Sequence, residues 1–331
     1  CNIIQVLTAI YQNIKMNDTK YSRTIELLQR NMSTELLTAL NDPRTVEIML
    51  NPDGSLWVEK LGQPSVMVGY YEKVRAMAFM ETISAYHNKE LTPSKPILEC
   101  ELPIDGSRFS GLISPVTSGP CFTIRKKAIS IFTLNQYVEN GIMTEHQKTC
   151  IEDSIANHRN ILVIGGTGSG KTTLVNAIIE EMVHQRPEER PVIIEDTGEI
   201  QCTAKNSVQL HTTIDVSMTD LLKTTLRMRP DRILVGEVRG PEALDLLMSW
   251  NTGHPGGSAT LHANDAKAGL DRLETLISMN KNAPSEIKPL IAEAVNIVVC
   301  IARTQTGRKI KEILEVNGYS NSKNTYLTRI L

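Results

Sequence analysis

Residues 161–182, ILVIGGTGSGKTTLVNAIIEEM, constrain the chain more than any other stretch. An apolar run leads into Gly165-x4-Gly170-Lys171-Thr172, and a helical pattern follows at once. The spacing predicts a buried strand, a glycine-rich turn and a helix whose N-terminus faces that turn. Glycines let successive backbone N–H groups point inward around phosphates, and the helix dipole favours the negative charge there. Lys171 is placed to neutralise the outer phosphates of a nucleotide, and the Thr172 hydroxyl to ligate Mg²⁺.

From residue 161 onward short apolar runs alternate with helical or loop segments: ILVI, VII, ILV and SATL. That alternation implies a mostly parallel sheet flanked by helices, an α/β domain. Ligands of such sheets lie at the carboxyl ends of the strands. There VII leads into Glu195, Asp196 and, after a Thr197-Gly198 turn, Glu199; ILV leads through Gly236 into Glu237; SATL leads into His262. Glu237, following the strand expected beside the phosphate loop, is the candidate for orienting or deprotonating the attacking water. Position 236 is glycine where many phosphate-loop enzymes carry a metal-holding aspartate, so Glu195 or Glu199 is expected to join the Mg²⁺-water shell. His262 is a candidate γ-phosphate contact or else a locally satisfied histidine, and His254 falls in a turn.

DLLKTTLRMRPDR reads as a helix stopped by Pro230, with Arg227 and Arg229 in its last turn. Arg239, Arg108 and Arg125 are candidates for bidentate phosphate contact across an interface, against the alternative of solvated surface cations. One acting in trans would imply an oligomer.

Upstream, VEIMLNPDGSLWVEK predicts a hairpin turning at Asn51–Gly54. Ala76, Phe79, Met80, Ile83 and Tyr86 recur at helical spacing and predict one buried face, while RFSGLI and CFTIRK read as short strands. Capping-box patterns at Thr133–Gln136 and Thr144–Gln147, with Gly141 between them, mark a boundary. Near the C-terminal end, NIVVCIARTQTGRKIKEILEV predicts strand, turn at Thr306-Gly307 and strand, an antiparallel edge.

The resulting division is an extension over 1–15, an α+β N-terminal domain over 16–126, a linker region over 127–143 and the phosphate-loop domain over 144–331. The chain opens on Cys1, and Met16 stands as a natural first residue. A net charge of -2 and 4% aromatic residues supply neither a basic surface nor a stacking groove for nucleic acid, so direct DNA binding is not expected. The 6 cysteines are scattered without metal-ligand spacing and read as reduced thiols. No apolar run approaches the ~18 residues of a membrane span.

In order, GGTGSGKTT, IIEDTGEI, RMRPDRILVGEVRG and NTGHPGGSATLHAND form four boxes. Over roughly 35–305 the chain thereby resembles the ATPases of type II and type IV secretion and pilus machines. Within them, LNDPRTVEIMLNPDGSLWVEKLG, CFTIRK and EALDLLMSWNTGHPGGSATLHAND resemble the TrbB-type ATPases of conjugative DNA transfer. The resemblance implies a RecA-like motor domain joined by a flexible linker to an N-terminal sensing domain. It also implies a homohexameric ring, cytoplasmic and peripheral at the inner membrane, working with the other components of a type IV secretion or conjugation apparatus. Carried over by position, Gly166, Thr167, Gly168, Ser169, Gly170, Lys171, Thr172 and Thr173 bind the phosphates of ATP. Lys171 matches the essential lysine, Glu237 the catalytic glutamate, Glu195 and Glu199 the acidic box and His262 the histidine box; Arg239 is expected to act beside them, and Thr172 and Glu195 to hold Mg²⁺, partly through water. Arg125, and less closely Arg108, match the N-terminal-domain residues that reach the nucleotide. Glycine at 236 is normal in that family, whereas SPVTSGP has one proline where relatives often have two. A pilus or type II secretion motor, a nucleic-acid translocase and a non-hydrolytic nucleotide-dependent scaffold stand as rival readings, separable by genomic neighbours, DNA-stimulated turnover and turnover itself.

Overall fold

The computed structural model describes residues 21–60, 63–126, 131–213, 215–304 and 307–331. The extension assigned to 1–15 therefore lies outside the described residues. Two compact units divide the chain, Cys1–Ile129 and Ser130–Leu331.

In the first unit, helical residues 21–31 (α1) and α2 (Thr34–Asn41) precede β1 (Thr45–Leu50), β2 (Ser55–Lys60) and β3 (Val66–Tyr70). Helix α3 (Lys73–Tyr86), β4 (Ile97–Glu101), β5 (Arg108–Leu112) and β6 (Cys121–Arg125) complete it. The strands form an antiparallel sheet in the order β3-β2-β1-β6-β5-β4. The expected hairpin is β1–β2. Asp53 Oδ1 accepts from the Ser55 backbone N–H at 2.8 Å, and Gly54 turns the chain at φ +94°, a conformation that L side chains rarely adopt. Helix α3 buries Ala76, Phe79, Met80 and Ile83, and Phe79 meets Phe109 and Phe122 with ring centroids 6.1 and 5.6 Å away. Tyr86, expected on the same face, is only partly buried; Ser84 takes a buried place instead.

The second unit begins with α4 (Leu134–Glu139) and α5 (Glu145–Ala156), each opened by the expected capping box. Within the span read as a linker, Leu134 and Tyr137 of α4 are buried in this unit's core. Then follow β7 (Ile161–Ile164), α6 (Lys171–Gln185), β8 (Pro191–Glu195), β9 (Val208–His211), α7 (Met218–Thr225), β10 (Arg232–Val235) and α8 (Glu242–Asn251). The remaining elements are β11 (Ser258–Leu261), α9 (Ala266–Ser278), α10 (Ile287–Ala294), β12 (Ile297–Thr304), β13 (Gly307–Ser320) and β14 (Thr325–Ile330).

The eight strands run β14-β13-β12-β7-β11-β10-β8-β9, parallel from β12 to β9 and antiparallel beyond β12. Side chains alternate across the sheet. Leu162, Ile164, Ile233 and Val235 join the core under α7 to α10, and Ile161, Val163 and Leu234 join the core under α4 to α6. Burial on both faces is why these strands read as continuous apolar runs. The α/β expectation holds for this unit, and the α+β one for the first.

Three details depart from the sequence reading, and a fourth is only partly described. Strand β11, not β10, neighbours β7, so Glu237 follows a strand one place removed from the phosphate loop. Helix α7 ends at Thr225, and Arg227 and Arg229 lie beyond it; Arg229 sits at φ +54°, consistent with the bar that Pro230 places on right-handed helix at the preceding residue. Strand β14 extends the antiparallel side past β13. Residue 306 of the predicted turn lies outside the described residues, although Thr304 and Gly307 on either side are paired.

Candidate functional site

The loop from β7 to α6 is shaped by close packing as well as by glycine freedom. A Cβ on Gly165 would lie 2.2 Å from the Ile301 carbonyl oxygen, so the loop's first residue has no room for a side chain. Gly170 caps α6 at φ +96°, the left-handed conformation that brings the following backbone N–H groups toward the loop's interior. Lys171, only 8% exposed, donates to the carbonyls of Gly165 and Gly166 at 3.0 and 3.1 Å.

Strand ends bring the remaining groups to this lysine. His262, just past β11, places Nδ1 3.3 Å from Lys171 Nζ and Nε2 2.9 Å from Glu237 Oε1. The ring can accept at Nδ1 from the ammonium, whereas Nε2 approaches Glu237 Oε1 without hydrogen-bond alignment, and that oxygen is buried with no hydrogen-bond partner among the described residues. Glu237 also takes a charge-assisted hydrogen bond from Arg239 through Oε2. Arg239 reaches on to Asp196 Oδ2 at 3.2 Å, and Asp196 accepts from the Thr212 hydroxyl at 2.9 Å. The chain Lys171–His262–Glu237–Arg239–Asp196–Thr212 thus crosses the carboxyl ends of β7, β11, β10, β8 and β9.

Burial and the Lys171 charge hold the His262 pKa below the ordinary 6.5, with the Glu237 carboxylate pulling the other way and Arg239 adding to the depression. A depressed imidazole pKa keeps the ring neutral at pH 7. An imidazole titration followed by NMR is expected to show His262 losing its proton below pH 6.5 in nucleotide-free protein, and Lys171→Ala to raise that midpoint. A midpoint at or above 6.5 in the parent chain would refute the assigned protonation.

The acidic box is organised around Glu195. Glu195, only 3% exposed, accepts through Oε2 from the backbone N–H groups of Glu199 and Ile200 at 2.8 and 3.0 Å. It thereby fixes the turn that carries Glu199, and Glu199 Oε2 lies 3.4 Å from the Thr172 hydroxyl. Asn176 of α6 braces the same turn, donating to the Glu199 carbonyl and accepting from the Gln201 N–H. The glycine at 236 follows from this packing: a Cβ there would lie 2.8 Å from Glu195 Cβ. The hydroxyl of Thr172 with the carboxylate of Glu199 is the hard-oxygen pair that suits Mg²⁺, which keeps most of its shell as water and phosphate. Among the described residues no cluster of three or more His, Cys, Asp or Glu forms a complete protein cage for a metal.

Arg108 and Arg125 belong to the first unit, where they face each other across β5 and β6. Arg125 is also opposite Glu47 of β1, whose pKa burial raises against the pull of the Arg125 charge. His254 lies in the loop between α8 and β11, apart from the chain of contacts at Lys171. Sequence reading missed Asn176 and Thr212 as parts of the site and placed Asp196 at a strand end without giving it a role. Only Asn176 left a sequence signal, an amide inside the apolar run LVNAII. Five described cysteines, Cys100, Cys121, Cys150, Cys202 and Cys300, are free thiols, and among the described residues no helix is long and apolar enough to cross a membrane.

Residues 66–329 match the family model described as "Type II/IV secretion system protein". The chain is 46% identical to the conjugal transfer protein TrbB of Rhizobium radiobacter over 302 residues, 91% of this chain and 93% of that one. It is also 46% identical to the probable conjugal transfer protein TrbB of Sinorhizobium fredii, covering 92% and 93% of the two chains. Among solved structures, the pilus retraction motor PilT with bound ADP shares the fold at TM-score 0.62 and 18% identity, over 90% of this chain and 82% of that one. The Legionella pneumophila ATPase DotB does so at TM-score 0.58 and 18% identity, over 89% and 78%. With a phosphate loop flanked by strand-end acids and a family match over most of its length, the chain belongs to the type II/IV secretion system protein family and is a type IV secretion ATPase similar to the TrbB conjugal transfer proteins.

Proposed function

We propose that the protein is the ATP-hydrolysing motor of a conjugative type IV secretion system, working as a homohexamer on the cytoplasmic face of the inner membrane. The observation that carries this reading is the convergence of His262 and Glu237 on Lys171 of the phosphate loop. Hydrolysis needs a positioned water and stabilisation of developing charge, beyond a grip on phosphates. Glu237 holds and orients that water, while Lys171 leaves the loop carbonyls to meet the β- and γ-phosphates. His262 links the two and carries the state of the phosphates to Glu237. Arg239, drawn to Glu237 and Asp196, keeps the carboxylate aligned. Thr172, with Glu195 and Glu199 partly through water, would hold Mg²⁺, and the ion would supply charge neutralisation to the phosphates when bound. Arg125 and Arg108 are proposed to answer nucleotide state from the N-terminal domain, 16–126, through the linker region 127–143.

Electron-microscope imaging of the purified chain with and without MgATP, beside a phosphate-release assay, tests the reading. Six-membered rings with ATP turnover are the expected result; a monomer without turnover in both conditions would overturn it. Turnover that rises steeply with added DNA and falls with salt would favour a nucleic-acid translocase instead.

A further inference from the structure

The geometry points to Arg308 as a nucleotide contact on the opposite flank of the phosphate loop, meeting the base and ribose rather than the outer phosphates. This inference rests on the nucleotide-binding reading above. Arg308 sits near the start of β13, separated from β7 only by β12. Its Nη2 is 3.5 Å from the Gly168 carbonyl oxygen, and its Cδ would lie 2.9 Å from a Cβ on Gly170. The guanidinium stem therefore lies along the loop itself, 137 positions from Lys171 in sequence.

Polarity of the bound nucleotide follows from the sheet order. Glu195, Glu199, Glu237 and His262 all come from β8, β10 and β11, on one side of β7. A triphosphate laid across the loop with its γ end toward those groups leaves its nucleoside end toward β12 and β13, where Arg308 is. Beyond that one long contact to Gly168, the guanidinium has spare donors. Its Nε is buried without a hydrogen-bond partner, and among the described residues Arg308 forms no ion pair. Arg303 faces it across the β12–β13 pair, a like-charge opposition that offers no neutralisation.

Its surroundings suit a purine. Tyr137 of α4 is near enough to feel the Arg308 charge, which opposes the upward push of burial on the phenol, and Phe132 packs edge-on to Tyr137 at 6.4 Å. A planar guanidinium can stack on a base, which an ammonium does not do as well.

Binding of ATP, ADP and inorganic tripolyphosphate to the full chain, measured by calorimetry, tests the assignment. Arg308→Ala is expected to weaken ATP and ADP alike, by roughly tenfold, the size of one desolvated cation–π contact. Tripolyphosphate, which has no nucleoside, should bind as to the parent within about twofold. Arg308→Lys, which keeps the stem packing and the charge but loses the flat face, should show the same pattern and guards against a folding defect in the alanine variant. Equal loss of tripolyphosphate would make Arg308 a loop brace, loss of ATP without ADP would make it a γ-phosphate contact, and full affinity in Arg308→Lys would reduce it to a point charge. Each of these overturns the inference while leaving the phosphate-loop reading intact. A parent chain that binds neither nucleotide nor tripolyphosphate would overturn both.

Discussion

Lys171→Ala is expected to lose ATP binding by about a hundredfold or more, the size of one or two charge-assisted hydrogen bonds to phosphate. Two features of the site make the effect large. The ammonium is 8% exposed and held by two loop carbonyls, so its charge acts where water screens it little. No second cation among the described residues is shown on the β11 side of the loop within reach of Lys171's place; Arg239 is engaged with Glu237 and Asp196. The motor unit should stay folded, because α6 is anchored through Leu174, Val175, Ile178 and Ile179, none of which the substitution touches. Calorimetric titration with ATP, beside a thermal melt of the same sample, checks both statements. Undiminished affinity would remove Lys171 from the phosphate site.

What the sequence made legible was local chemistry. The phosphate loop, both capping boxes and the Asn51–Gly54 hairpin turn are each written within a few consecutive residues, and each has the expected geometry. The alternating buried strands were legible because burial on two faces leaves unbroken apolar runs such as ILVI. Strand order was not, since the placement of β11 between β7 and β10 depends on crossovers that no local pattern encodes. The same reason hid the links from Arg239 to Asp196, 43 positions apart, and from Arg308 to Gly168, 140 apart. Glu195 was legible as a site acid, but only the turn geometry reveals that its Oε2 accepts from the Glu199 and Ile200 N–H groups while Glu199 Oε2 faces Thr172. Strand β3 escaped notice because its residues are mostly exposed on both faces, so no alternation marks it.

Glu237→Gln is expected to bind ATP with near-parent affinity and to turn over ~10²–10⁴-fold more slowly, the range for a lost general base. Glutamine preserves the shape of the side chain, and its one carbonyl oxygen can still accept from Arg239 at the Oε2 position, so the contacts from residue 237 through Arg239 and Asp196 to Thr212 persist. What disappears is the negative charge proposed to align and polarise the attacking water. If the carboxylate instead only neutralised Arg239, turnover would change little, because Asp196, at 3.2 Å, would still hold that arginine. Steady-state phosphate release, compared with ATP affinity measured on the same preparation, separates these outcomes. A fall in turnover with unchanged binding identifies Glu237 as a group acting on the transition state rather than on the ground state. Near-normal turnover would exclude it as the base and shift attention to Glu199, the other acid presented beside Thr172.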